Sequence, residues 1–490
     1  MTHPLVAEIP TAHTPESLLE HLLRGRSRTP FDVVLLRSNS FDAPRDRYSF
    51  VAANPFLSFC SFGSQCELRR DNFIHVHFGN PWQILDTLMS RFELLDEIDL
   101  PFPLGGCFGF WGYDLKNFSE PKLPRRAARD LELPDCHVGF YDSLVVFDHQ
   151  LGKTFIVSTG LKADGSRSEK WARRRQEFWR ERLSSRAELP GREYHISETK
   201  QSLVSNVSQD DFLSAVDRAQ QYIRMGDIYQ VNLSQRFTSG SGTAGWEFFQ
   251  RLSAISPAPY AAFLDFGGCQ IVSSSPEQFL RMSGPQIVTR PIKGTRPRDP
   301  DPTRDAQLAY ELRTSPKELA ELVMITDLLR NDLGKVCEFG SVRVPELATL
   351  EKFAHVHHLV STVEGRLRKG MTHFAAFASC FPGGSITGAP KFRAMEIIDE
   401  LEPVSRGPYC GCHGYLGFNR ESQLSITIRT AVCAGGKIHY HAGAGIVADS
   451  NPKAEYDETL AKALGFFQAL QFRQPSTPAG DLQHDRISQR

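Results

Sequence analysis

The chain has 490 residues, 41% hydrophobic and 23% charged, which supplies ample core material for one large or two closely packed domains and excludes intrinsic disorder for most of its length. Lys+Arg 56 against Asp+Glu 57 leaves a net charge of -1 with no long single-sign block, so a nucleic-acid partner is not indicated. The N-terminal stretch lacks the apolar run of a secretory signal, and no later stretch reaches the roughly eighteen apolar residues of a membrane span, so no membrane contact and a cytosolic location are expected.

In chain order, Phe31 to Leu36, Ser49 to Ala52 and Ser143 to Phe147 carry β-branched and aromatic residues between turn signals, so residues 30–160 read as strands with few helices. Residues 166–183 are charged with spaced aromatics, a helical pattern, and a polar stretch follows. A domain boundary is expected there, separating a β-rich region 1–195 from a mixed domain 205–472 and a frayed tail 473–490. Helical patterns at Asp210 to Met225, Pro316 to Leu333, Pro390 to Leu401 and Pro452 to Leu470 alternate with strand-like runs at Ile271 to Ser275, Leu424 to Val432 and Lys437 to Ala442. Several runs alternate polar with apolar, which favours an antiparallel α+β architecture over a parallel sheet. The ten cysteines sit in apolar or Gly-rich surroundings and read as reduced, and Cys410 and Cys412 have neither redox nor zinc-knuckle spacing.

Ser315-Pro316-Lys-Glu318 predicts a capped helix start, a capping box in which Glu318 is the reciprocal carboxylate. Glu321, one turn further along the same face, has no capping duty and is the better ligand candidate. Asn451-Pro452-Lys-Ala-Glu455-Tyr-Asp-Glu458 repeats the spacing after the strand end His441-Ala-Gly443-Ala444-Gly445. Carboxylates from separate helices suit Mg2+, although glutamate pairs on helices are mostly solvated faces. The small-residue clusters Pro382 to Lys391, Gly407 to Gly417 and Gly443 to Gly445 let backbone amides approach an anion, which fits a carboxylate-binding floor with Lys391 at the end of one wall. Neither a dinucleotide fingerprint nor a P-loop occurs in its required context. Arg429, among apolar neighbours of an alternating strand, needs an anionic partner. Lys293, in Thr289-Arg-Pro-Ile-Lys-Gly-Thr295, is either a snorkelling lysine or a nucleophile, and Glu277 is either a proton donor or a turn residue.

These stretches together resemble the chorismate-utilising family that contains anthranilate synthase component I, aminodeoxychorismate synthase component I, and the isochorismate and salicylate synthases. The motifs are Gly226-Asp-Ile-Tyr-Gln-Val-Asn-Leu-Ser, SSPEQFL, PIKGTRP, SPKELAELVMITDLLRNDLG, HHLVSTVEG, FPGGSITGAPKFRAMEIIDELEP and AGAGIVADSNPKAEYDET. The resemblance implies an α+β fold, a layered sandwich of antiparallel sheets flanked by helices. It further implies a Mg2+-dependent chorismate site in which Glu321 and Glu458 hold the metal, with Glu318 and Glu455 assisting. Tyr409 and Arg429, with the amides of Gly443, Ala444 and Gly445, match residues for the enolpyruvyl carboxylate, and His358 and Thr387 match residues near the ring. Glu277 matches the acid that protonates the departing C4 hydroxyl.

Two positions separate the branches of the family. Anthranilate synthases resemble PIAGT where this chain has Pro-Ile-Lys293-Gly-Thr, and in the aminodeoxychorismate branch that lysine is thought to add to C2. The isochorismate and salicylate branches carry a water-activating lysine where this chain has Gln230, and an amide cannot act as that base. The expectation is therefore amination of chorismate at C4. A separate glutamine amidotransferase subunit is expected to supply ammonia, because no Gly-x-Cys-x-Gly elbow occurs. The rivals are an anthranilate synthase component I and a non-catalytic paralogue that binds tryptophan. Leu35-Leu36-Arg37-Ser38 resembles the family's tryptophan-pocket motif, with Arg37 where feedback-sensitive anthranilate synthases carry glutamate.

Overall fold

The computed structural model describes residues 3–25, 32–38, 47–70, 73–95, 99–185, 203–240, 245–352 and 356–471. The expected boundary between 195 and 205 therefore falls mostly outside the described residues, and the expected tail 473–490 falls wholly outside them.

Two twelve-stranded antiparallel sheets form the frame, so the α+β sandwich expected from the alternating runs is the observed architecture. Period-two patterning explains the layering. In the strands Val33–Arg37, Tyr48–Ala53 and Ser143–Asp148, the residues Val34, Phe50, Ala52, Leu144 and Val146 enter a core shared with Phe108, Phe140 and Leu424 of the second sheet. Their neighbours Val33, Leu35, Val51 and Val145 face the other way, onto Leu18, Trp179, Phe248 and Phe466 of a helical layer. Strands covered on both faces lose the polar alternation of half-exposed ones. Each fully buried aliphatic or aromatic side chain here contributes roughly 1.5–3 kcal/mol relative to exposure. These two cores, rather than the polar site described below, hold the fold together.

The helices start where local chemistry says they should. Ser168 caps Glu169–Ser184, Ser208 caps Gln209–Arg224, and Ser315 caps Pro316–Gly334 with proline at its start. Helices at Pro15–Arg24, Pro81–Phe92, Gly245–Ile255, Pro302–Thr314 and His373–Cys380 were not anticipated from patterning.

Residues before and after 186–202 build both sheets together. Val33–Arg37 pairs with Tyr260–Asp265 in one sheet, and Gly106–Trp111 pairs with Cys412–Gly417 in the other. Twice in the second half the chain steps from one sheet to the other. Cys269–Ser275 lies in the first sheet and Gln278–Ser283 in the second, while Glu421–Ile426 lies in the second and Thr430–Ala434 in the first. The run from Leu424 to Val432 is thus two strands rather than the single strand its composition predicts.

Candidate active site

The two crossings are stitched together, and polar side chains converge on them. Ser275 Oγ donates to the Ile426 carbonyl at 2.6 Å, Ile426 N donates to the Glu277 carbonyl at 3.0 Å, and Ser274 N donates to the Arg429 carbonyl at 3.1 Å. Glu277 occupies one crossing and Arg429 the other, where Arg429 adopts a φ of 52°. Arg429 therefore stands at a strand break, not inside a strand as its alternating neighbours suggest. A β-branched or bulky residue in this conformation is strained, and such strain collects at functional sites.

Glu277 is buried and receives a 2.6 Å hydrogen bond from Ser385 Oγ. Burial pushes its carboxyl up to about 7, against Ser385 and the ammonium groups of Lys293 and Lys462, which pull it down. It can therefore carry a proton near neutrality.

Lys293 reaches the same region because of a bulge. In the strand Ile292–Pro297, Lys293 pairs with Leu359 and Thr295 with His358, so Gly294 is an extra residue, with φ 73°. A Cβ on Gly294 would come within 2.9 Å of Glu318 Oε2, so glycine here answers both a left-handed conformation and a close approach. Lys293 Nζ stands 3.6 Å from Glu321 Oε2 and also acts electrostatically on Glu277 and Glu458.

The strand Lys437–Ile446 forms the floor. It pairs with Gln230–Gly240 along its whole length, but its other partner, Thr430–Ala434, reaches only as far as Tyr440. Beyond Tyr440 one edge has no ladder partner among the described residues, which bares backbone groups around Gly443, Ala444 and Gly445. Lys462 Nζ takes the Gly443 carbonyl at 2.8 Å, and a Cβ on Gly445 would meet Gln230 Nε2 at 2.7 Å and Lys293 Nζ at 3.6 Å. Tyr409 is buried and stacks on His441 at 5.0 Å, its hydroxyl lying 2.7 Å from where a Gly443 Cβ would be. Burial keeps the Tyr409 phenol protonated and able to donate. The Gln230 Oε1 and Asn232 Nδ2 atoms on the pairing strand are buried without a partner, as befits groups awaiting a ligand.

The four glutamates take different positions. Glu318 N donates to the Ser315 cap at 3.4 Å, but its carboxylate faces Arg296 at 3.5 Å, so only half of the expected capping box forms. Glu455 accepts from Ser450 at 2.7 Å, and burial raises its carboxyl above the usual range. Burial also works to raise Glu458, but Lys462 at 2.6 Å more than offsets it, holding the carboxyl low. Among the described residues no three His, Cys, Asp or Glu side chains gather closely enough to cage a metal. Mg2+ needs only one or two carboxylates beside waters and substrate oxygens, and hard oxygens from two helices fit that requirement.

Of the other expected residues, His358 bonds Thr295 Oγ1 at 2.9 Å through Nδ1 and feels the charge of Arg429, and burial favours its neutral form. Thr387 is fully buried with its hydroxyl turned to the Gly383 and Gly384 carbonyls, so it shapes its turn. Lys391 is not brought to the site. Its ammonium pairs with Asp332 and donates to the Cys380 and Pro382 carbonyls at 3.0 and 2.9 Å. Sequence reasoning missed Lys462 and Ser385. The i, i+4 spacing of Glu458 and Lys462 was a usable signal, but it reads as a routine helix pair until the floor strand is placed beside it.

A family model described as chorismate binding enzyme matches residues 41–468. The chain is 40% identical over 432 residues to anthranilate synthase component 1 of Acetivibrio thermocellus, covering 87% of each chain. It is also 40% identical over 440 residues to aminodeoxychorismate synthase component 1 of Escherichia coli (strain K12), covering 89% of this chain and 93% of that one. Among solved structures, anthranilate synthase component I from Streptococcus pneumoniae superposes with a TM-score of 0.77 at 30% identity, covering 95% of this chain and 100% of the other.

Proposed function

Because the chain belongs to the chorismate-binding enzyme family, we propose that it aminates chorismate at C4, as an aminodeoxychorismate synthase component I. The observation that carries this reading is Lys293, presented by the Gly294 bulge toward Gly445 and within the charge field of Glu277. An alanine there, as in the PIAGT pattern, could not act on the ring.

In this reading Arg429, Tyr409 and the bared backbone around Gly443 to Gly445 hold the enolpyruvyl carboxylate, and His358 lies beside the ring. Glu321 and Glu458 would hold Mg2+, whose charge neutralises the ring carboxylate. Glu277, protonated near neutrality, gives its proton to the C4 hydroxyl, which leaves as water because hydroxide is a poor leaving group. Lys293, as the neutral amine, bonds to C2 while the ring double bonds shift toward C4 and the C4–O bond breaks. Ammonia then bonds to C4, the double bonds shift back, and the C2–N bond to Lys293 breaks. The lysine and Glu277 recover their starting protonation through solvent.

Ammonia comes from a separate glutamine amidotransferase subunit, and the product feeds the making of 4-aminobenzoate and folate in the cytoplasm. The rival is an anthranilate synthase, in which ammonia enters at C2, and equal 40% identity to a relative of each name favours neither. Incubation with chorismate, ammonium and Mg2+ followed by product identification decides. 4-Amino-4-deoxychorismate supports the reading, and anthranilate overturns it.

A further inference from the structure

The strand Phe73–Phe78 ends its sheet, pairs only with Gln65–Arg70 among the described residues, and has all six residues exposed. Phe73 is 69% exposed, Ile74 56%, Val76 48% and Phe78 77%. Edge strands ordinarily carry a charged residue, a proline or a bulge that blocks pairing with another chain. Phe73-Ile-His-Val-His-Phe78 has no Lys, Arg, Asp, Glu or Pro, and its register is unbroken. Period two puts Ile74, Val76 and Phe78 on one face. The neighbouring strand meets them there with Arg69, Glu67 and Gln65, so the hairpin cannot cover its own apolar stripe.

We propose that a second copy of this chain covers it, the two Phe73–Phe78 strands pairing antiparallel about a two-fold axis at Val76. A two-fold pairing of antiparallel strands sets one residue against itself. With the axis at Val76, Val76 meets Val76 of the second copy, Ile74 faces Phe78, and His75 faces His77 on the opposite face. Moving the axis to His75 would set Phe73 against His77 and leave Phe78 without an apolar mate. The open backbone edge and the apolar stripe are thus satisfied together by one register.

Aromatic side chains carry about 150–250 Å² each. At these exposures the strand presents roughly 400–500 Å², and two copies would bury on the order of 1,000 Å², the lower bound for a specific interface. The dimer is accordingly weak and concentration-dependent.

Sedimentation velocity of the full chain from low to high micromolar concentration tests this. The wild type should shift from monomer to dimer, and Val76→Lys should remain monomeric throughout with an unchanged circular dichroism spectrum. Val76→Cys should form a disulfide-linked dimer under mild oxidation, because residues directly opposite bring their Cβ atoms within about 4.5–5.5 Å. Phe73→Cys, more exposed but away from the axis, should not. Nine native cysteines are buried and Cys433 is partly so, which keeps the thiol readout specific. A wild type that stays monomeric, a dimer that persists in Val76→Lys, or equal cross-linking of both cysteine variants would overturn the proposal. The first of these is also the result expected if a different protein or the chain's own residues occupy the edge.

Discussion

Lys293 Nζ stands 3.6 Å from Glu321 Oε2, so the ammonium expected to attack the ring rests against a carboxylate expected to hold the metal. One carboxylate cannot serve both cations at full strength. A divalent ion engaged by Glu321 and Glu458 would withdraw the counter-charge of Lys293 and favour its neutral amine. Addition of Mg2+ should therefore raise the rate at which an acylating reagent modifies Lys293, read by peptide mapping. An unchanged rate would count against metal binding at these residues.

Glu321→Gln and Glu458→Gln should each abolish turnover while leaving the melting temperature in metal-free buffer nearly unchanged, since the two large apolar cores lie elsewhere. Near-normal activity in either variant would remove its metal-ligand role.

Incubating the wild-type chain with chorismate and Mg2+ but no ammonia should trap the protein with the added mass of chorismate less one water, located at Lys293. Lys293→Ala should lose most of the 4-amino product and open C2 to ammonia, and Lys293→Arg should be nearly inactive because a guanidinium stays protonated. If no adduct forms and Lys293→Ala makes the 4-amino product at the wild-type rate, covalent catalysis is wrong.

Glu277 ties stability to pH. Burial raises its carboxyl from the ordinary 4.5 to about 7, so the folded state keeps a proton that the unfolded chain releases across that window. Stability is complete below the unfolded value and declines as pH rises to about 7, by roughly 3 kcal/mol. Glu277→Gln should therefore raise the melting temperature at pH 8 and hardly change it at pH 5. The same proton is the catalytic one, so wild-type kcat/KM should fall above about pH 7, and the variant should be slower by roughly 10²–10⁴-fold. A flat wild-type profile through neutrality would reject Glu277 as the acid.

The pocket bordered by Leu36, Arg37 and Ser38 is also lined by Tyr48, Tyr260 and His413. Arg37 is engaged in an ion pair with Glu16. With a paired arginine where feedback-sensitive relatives carry glutamate, tryptophan inhibition in a steady-state assay should be weak or absent. Sub-millimolar inhibition would favour the anthranilate synthase alternative.

The amino-acid sequence by itself determined the parts whose signals are local. Ser315-Pro316 marks a helix start, the alternation in Tyr48–Ala53 marks a strand with two covered faces, and the glycines of His441 to Gly445 mark a backbone that something must approach closely. Only the tertiary structure decided where the strands change sheet. The run Leu424 to Val432 is apolar enough to read as one strand because both sheets bury it, and nothing within it announces that pairing partners change between Ile426 and Thr430. That change is non-local, set by strands Cys269–Ser275 and Gln278–Ser283 crossing beside it. It puts Arg429 and Glu277 together, lets the floor strand run past its neighbour, and turns Lys462 from a helix-surface lysine into a partner of the Gly443 carbonyl. Lys391 shows the converse: its motif sits in the matched region, yet its charge answers to Asp332, a residue 59 positions away that periodicity cannot place.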